Sequence, residues 1–273
     1  MAEVTAASRL GTEPNKVTRG VILGVVGAVF AIPLIALLQF TFRDGLGGGY
    51  TLEHWNNLIG EDAARTYRSL FQAIGNSVVL AIVTVGIVLV LLLPTMILVH
   101  IQFPKFSRVL EFICIIPITV PAIVLVVGLA PVYGVVVRIF GSGAWTLAFA
   151  YGITVLPYAY RAIQSNLDAI PAVMLSEAAR SLGADWPTVL RLVLLPNLRR
   201  GVLAASFISV AVVLGEFTIA SLLNRTNLQT ALLQISQSDP YVAAIFAFLA
   251  LAVAFGLLLL IGRLGASRKR SRE

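Results

Sequence analysis

Apolar runs close to twenty residues long alternate with shorter polar stretches along almost the whole chain, at positions 21–40, 75–99, 112–130, 145–164, 203–223 and 242–261. A helix rises about 1.5 Å per residue, so roughly twenty apolar residues cross a hydrocarbon core about 30 Å thick. The pattern therefore predicts an all-α, polytopic membrane protein with six transmembrane helices and both termini on one side. Positions 21–262 read as a single transmembrane domain, preceded by an N-terminal arm at 1–20 and followed by a basic tail at 263–273. Prolines 117, 121 and 131 fall in or beside the third run. Breaks within a membrane persist where neighbouring helices, hydroxyls or water satisfy the freed carbonyls, so the prolines mark either a kinked helix lining a path or a purely structural kink. Pro104 predicts a tight turn between the second and third runs.

One polar island, 168–200, interrupts the pattern. Pro171 suits a first helical turn, and Val173, Leu175, Ala178, Ala179 and Leu182 recur at helical spacing. Gly183 follows as a C-terminal stop, because glycine takes the left-handed conformation at little cost. Asp185 is placed to cap a second helix with Pro187 in its first turn and Val189, Leu190, Val193 and Leu194 as an apolar stripe. The island thus predicts two short helices joined by a glycine turn, either a rigid knob or an amphipathic pair lying on the membrane surface. The stretch from 41 to 72 carries Gly45, Gly47, Gly48 and Gly49 and then Glu53, Trp55, Glu61 and Asp62. It predicts a surface helix around 52–59, serving as a connector or as a platform for an external partner.

Composition agrees with the pattern: 58% of the 273 residues are hydrophobic and 12% charged. The net charge of +7 is unevenly placed. If the N-terminus is cytoplasmic, that face gathers Arg9, Lys16, Arg19, Lys105, Arg108, Arg161, Arg180, Arg191, Arg199, Arg200, Arg263, Arg268, Lys269, Arg270 and Arg272. The other face keeps Arg43, Arg65, Arg68, Arg138 and Arg225. Lys and Arg are retained inside, so this three-to-one bias predicts cytoplasmic termini in a plasma (inner) membrane and a cytoplasmic island. The tail then meets anionic lipid head groups, and no aromatic-interleaved basic surface points to nucleic acid. The first run starts only at Val21 and lacks a small-residue cleavage site after it, so it is expected to remain a span. Cys114 is alone and predicts neither a disulfide nor a ligand cluster; His54 and His100 fall on opposite faces, and no metal site is expected.

Glu177-Ala178-Ala179 is followed three residues on by Gly183, and nine further residues lead to Val193-Leu194-Leu195-Pro196. This resembles the signature of permeases of binding-protein-dependent ATP-binding-cassette importers: Glu-Ala-Ala, three residues, Gly, nine residues, Ile-x-Leu-Pro in the last cytoplasmic loop. Val193 in place of Ile is the one departure. The six-run layout extends the resemblance over nearly the whole chain. The resemblance implies a helix pair that couples the membrane domain to a separate cytoplasmic ATPase subunit, with Glu177 and Gly183 holding the turn and Ala184, Asp185 and Trp186 nearest the ATPase. It also implies a second permease subunit and an extracytoplasmic substrate-binding protein. The chain has no Gly-x-x-x-x-Gly-Lys-Ser/Thr loop, so it is expected to be no enzyme and to carry no cofactor, with ATP bound by the partner.

Glu216 stands inside the fifth apolar run, where a carboxylate needs a partner or water. It predicts either a pathway or gate residue, or an interior carboxylate pinned by a hydroxyl or by a partner subunit's basic residue. On a path it favours a cationic cargo, with Tyr151, Tyr158 or Tyr160 offering ring faces, although tyrosines in spans also serve as interfacial anchors. The pattern around Gly215-Glu216-Phe217 and Asp239-Pro240 is most similar to the second permease of the spermidine/putrescine branch, whose relatives handle iron, phosphonates and opines. A self-powered secondary transporter is expected to show two related halves or further coupling carboxylates. A membrane-embedded enzyme is expected to show a nucleophile–base pair or a metal cluster. The sequence offers none of these.

Overall fold

The computed structural model describes residues 15–266 except Leu46 and Glu61. Most of the expected arm and the tail residues Arg268, Lys269, Arg270 and Arg272 lie outside the described residues. The protein is all-α apart from a two-residue strand pair, β1 (Arg43–Asp44) and β2 (Gly49–Tyr50). The helices in chain order are α1 (Lys16–Phe40), α2 (Glu53–Ile59), α3 (Ala63–Thr66), α4 (Arg68–Gln102), α5 (Ser107–Thr119), α6 (Ala122–Phe140), α7 (Ala148–Leu167), α8 (Ala172–Ser181), α9 (Trp186–Thr188), α10 (Leu195–Gly215), α11 (Thr218–Leu222), α12 (Leu228–Ser238) and α13 (Pro240–Ala266).

Among the described residues, four helices are long and apolar enough to cross a membrane: Val17–Phe40, Arg68–Gln102, Ala122–Phe140 and Trp186–Gly215. The helix at the fourth predicted run, α7, carries Tyr151, Tyr158, Tyr160, Arg161, Gln164 and Asn166, which lower its hydropathy. It sits inside the bundle, with Tyr151, Val155, Ala159, Ile163 and Leu167 buried. A helix shielded by its neighbours has less need of a lipid-compatible surface. At the sixth run, α13 contains the apolar segment Pro240–Gly256.

The core is α7 packed between α4 and α10. Small residues set the spacing of α7 and α10. A Cβ on Gly201 would lie 2.7 Å from Asn166 Cβ and 3.1 Å from the Ala162 carbonyl, so only glycine permits this approach. At the far end of the bundle from the island, a second cluster joins Leu80, Ala81, Tyr133, Leu147, Tyr151 and Val213. The segment between α1 and α4 folds back onto the bundle. Gly45 (φ 55°) and Gly48 (φ 84°) close its hairpin, and His54 stacks on Tyr241 at 4.3 Å. The expected surface helix around 52–59 is α2.

Three boundaries differ from the sequence reading. The third run is two helices, α5 and α6, with Val120 extended (φ −97°, ψ 121°) between them. Pro121 lacks an N–H and crowds the residue before it out of the helical region. Pro117 and Pro131, by contrast, are contained within α5 and α6. The fifth run stops at Gly215 instead of continuing to Leu223, and the unforeseen helices α11 and α12 follow. The second helix extends well past both ends of its apolar run, because polar residues can continue a helix beyond the hydrocarbon.

Candidate functional site

The island is built as its residues dictate. Helix α8 ends at Gly183, which takes φ +88°. Gly183 N–H donates to the Arg180 carbonyl at 2.9 Å, and Ala184 N–H to the Ala179 carbonyl at 3.1 Å. This paired closure is the Schellman arrangement, which satisfies two carbonyls at a helix C-terminus. Glu177 is exposed, and its carbonyl accepts from the Ser181 hydroxyl at 3.0 Å. Asp185 caps the next helix: its carboxylate accepts from Thr188 N–H at 3.1 Å. Hydrogen bonds from the Thr188 side chain and then its backbone hold the exposed Asp185 carboxyl below its ordinary value of 3.8. The Arg180 guanidinium lies 5.2 Å from the centre of the half-buried Trp186 ring, a cation–π contact that ties α8 to the start of α9.

From Val189 to Leu194 the chain widens into a π-type stretch before α10. Pro196 has no N–H to donate to the preceding turn, and Asn197 Nδ2 donates to the Val193 carbonyl at 2.7 Å. Such widened turns are uncommon and concentrate at functional positions. This one joins the island directly to a span.

The island is seated on the bundle. Val189, Leu194 and Ala172 are buried in one cluster with Leu92, Met96, Ile163 and Leu167, and Ala179, Ala184, Trp186 and Leu190 pack against it. His100 Nδ1 and the Asp168 carboxylate, at the adjoining ends of α4 and α7, lie 3.9 Å apart. The expected apolar stripe of the first helix is divided, however. Its inward face is Ala172 and Ser176, whereas Val173, Met174 and Leu182 are exposed, Leu182 by 89%. Small residues allow α8 to lie close to the bundle, and the larger apolar ones remain on the outer surface.

The second polar site is the break after α10. Glu216 Oε1 accepts from Ile219 N–H at 2.8 Å, so within this chain the carboxylate's partner is a backbone N–H in the first turn of α11. The Glu216 carbonyl accepts from Asn227 Nδ2 at 2.7 Å and from the Tyr151 hydroxyl at 3.4 Å. The same Asn227 amide donates to the Tyr151 hydroxyl at 3.1 Å, while Asn227 Oδ1 accepts from Thr230 N–H at 2.9 Å as the cap of α12. Gln229 Nε2 donates to the Leu214 carbonyl at 2.8 Å, and Leu228 N–H donates to Ser77 Oγ on α4 at 2.7 Å. The Leu214 and Glu216 carbonyls freed by the break thus have partners on α7 and at the start of α12.

The structure brings Glu216 and Tyr151 together but gives Tyr151 no open ring face: it is fully buried. This corrects its reading as an aromatic wall. The apolar packing of α4, α6 and α10 encloses the ring, and its hydroxyl serves the break. Tyr160 is buried too, at 2% exposure, whereas Tyr158 is 42% exposed and lines a cleft with Ile115, Pro157, Arg161 and Ile208. Sequence reasoning missed Asn227, Gly201 and Ser77. Asn227 and Thr230 have the spacing of a reciprocal helix cap, which was a legible signal; the reach of the same amide to Tyr151 and Glu216 had none.

Residues 97–267 match the family described as binding-protein-dependent transport system inner membrane component. A probable ABC transporter permease protein of Sinorhizobium fredii is 26% identical over 95% of this chain, which spans about half, 48%, of that relative's length. The spermidine/putrescine transport system permease of Haemophilus influenzae is 27% identical over 80% of this chain and 82% of its own. That of Escherichia coli K12 is 27% identical over 76% of each. The match covers the island, the break and most of the bundle, and the chain belongs to the family of binding-protein-dependent transport system inner membrane components.

Proposed function

We propose that the chain is the permease subunit of an ATP-driven importer and forms half of a substrate path that works by alternating access. A second permease completes the path, cytoplasmic ATPase subunits grip the island, and an extracytoplasmic binding protein delivers cargo. The termini and the island lie on the cytoplasmic side. ATP is bound by the partner ATPase, and this chain carries no cofactor. Lipid surrounds the bundle, and nucleic acid has no part in the function.

One observation carries the reading. The island is a folded knob rooted in the bundle core, with an exposed outer surface at Val173, Met174 and Leu182 and a direct helical connection into α10. A surface pair adapted only to lipid has no need of a Schellman closure, a carboxylate cap and a cation–π tie in one turn. Closure of an ATPase dimer against Glu177, Ala178, Ala179, Gly183, Ala184, Asp185 and Trp186 would press on the knob and, through the π-type stretch and Pro196, turn α10. That helix ends at Gly215, next to Glu216, so movement of the island reaches the break through one continuous element.

The cargo is a small cation such as a polyamine. Support comes from the two relatives named as spermidine/putrescine permeases and from a carboxylate, Glu216, at the break, with Tyr158 on an open cleft. The alternative is the same importer class carrying an iron, phosphonate or opine type of solute. Competition of labelled putrescine uptake by each class separates them.

The test of coupling is Gly183→Val. A Cβ there meets nothing within 4 Å, so the penalty is conformational, roughly 1–2 kcal/mol for leaving the left-handed region to a residue with a side chain. The variant is expected to insert and assemble with its partners but to lose ATP-driven uptake. Uptake at the parent rate removes the coupling role.

A further inference from the structure

Two charged residues, Glu111 and Arg161, belong to neither the island nor the break. Glu111 lies in the second turn of α5, and Arg161 lies seven residues before Asp168, at the end of α7. Their side chains approach to 3.7 Å and remain open, 44% and 68% exposed. Beside them runs a cleft of about 560 Å³ lined by Pro157, Tyr158, Arg161 and Ile208. A second cleft, of about 430 Å³, is lined by Arg108, Glu111 and Thr119 together with the apolar Phe112, Ile115 and Ile116. Ile115 borders both, so the two form a continuous furrow along α5.

Depth decides what can fill the furrow. At 1.5 Å per residue, Arg161 stands roughly 10 Å and Tyr158 roughly 15 Å above the island end of α7. The second figure is about half of a hydrocarbon core near 30 Å thick. A guanidinium and a carboxylate this open are costly against lipid tails, and such groups face a bundle interior or water. Pro157 lines this wall and Pro117 lies within the same helix as Glu111; each deprives the carbonyl four residues earlier of its regular donor, a defect that water can satisfy and hydrocarbon cannot. Helix α1 is the contrast: its exposed surface from Val21 to Ile35 is apolar and uncharged.

We propose that this face of α5 and α7 lines the island-side half of a water-filled translocation path, with Glu111, Arg161 and Tyr158 as its polar wall. The proposal rests on reading the chain as one half of such a path. It adds to that reading a carboxylate that cargo meets below the break at Glu216. Arg161 pairs with Glu111 and offsets its charge, so a small cation passes this carboxylate without being held, while Arg108 adds a further positive charge to the furrow.

The experiment uses Tyr158→Cys in the full chain, expressed with its partners, in inside-out membrane vesicles treated with a charged, membrane-impermeant methanethiosulfonate. Cys114, 2% exposed, is a silent background, and Val29→Cys, a position 61% exposed within α1, reports reactivity at a lipid face. Ile118→Cys, in the same furrow and 56% exposed, stands in if the tyrosine variant fails to insert. Cysteines at 158 and 118 are expected to react at least about tenfold faster than the one at 29, because hydrocarbon excludes both the reagent and the thiolate. Equal rates, or reaction only with a lipid-soluble maleimide, overturn the proposal and assign the face to lipid. Labelling is read without ATP, so a failure of ATP-driven uptake, which would sink the importer reading, leaves this result legible.

Discussion

The two polar interruptions of the bundle are held in opposite ways. The island between α7 and α10 is closed by residues within a few positions of one another: Gly183 with Arg180, Ala184 with Ala179, Asp185 with Thr188, Arg180 over Trp186. The break after Gly215 has local side-chain bonds at Glu216 and Asn227 but is also held from a distance: Tyr151 reaches it from 65 residues away, and Ser77 holds the start of α12 from 151 residues away. A locally closed element keeps its shape when the rest of the bundle moves, which suits a part that is pushed. A break closed by three other helices can be opened only by moving those helices, which suits a part that responds.

Substitutions at the break should cost the most stability. Asn227→Leu strips the amide from the buried Tyr151 hydroxyl and Glu216 carbonyl and removes the cap of α12. The uncompensated groups are expected to cost about 3 kcal/mol of stability in detergent unfolding. Gly201→Val forces α10 away from α7, with an expected loss of about 2 kcal/mol in the same assay. Tyr151→Phe loses one long and one ordinary hydrogen bond, about 1 kcal/mol, and its effect is expected to be non-additive with that of Asn227→Leu, since both serve the same carbonyl. Additive effects would mean that the two residues do not act as one unit.

The island is expected to respond less and locally. Asp185→Ala frays α9 and exposes the Thr188 amide to hydrogen exchange while the break keeps its protection. The folded-state carboxyl is held below 3.8, so the cap is fully present above that pH and is lost as the pH falls through the lower folded value. Asp185→Asn keeps an acceptor and is expected to abolish that acid dependence. Loss of protection at the break in either variant would show that the two regions are not independently closed.

The same contrast explains what the sequence could reveal. The caps, the glycine stop and the proline positions of the island depend on neighbours in the chain, so its first helix and the start of its second were legible to within a residue or two; the second is not short, however, but runs on through the π-type stretch into α10. The division of its apolar residues into a seated and an open face was not, because it depends on α4 and α7. Around the break, α12 carries Leu228, Ala231, Leu232 and Ile235 at helical spacing behind an Asn cap, a signal present in the sequence but shorter than a span. The stop at Gly215 and the burial of Tyr151 are tertiary, and no run of residues announces them. Hydropathy likewise located α7 but not its central position, since shielding by neighbours is what permits its tyrosines and Arg161.

Coupling requires another polypeptide to grip the island. A photo-reactive cross-linker at Leu182, which is 89% exposed at the tip of α8, tests it in the assembled complex in its membrane. One dominant product joining this chain to an ATPase subunit is expected, absent when the cross-linker sits at Val29. Cross-linking of position 182 to lipid alone would contradict it.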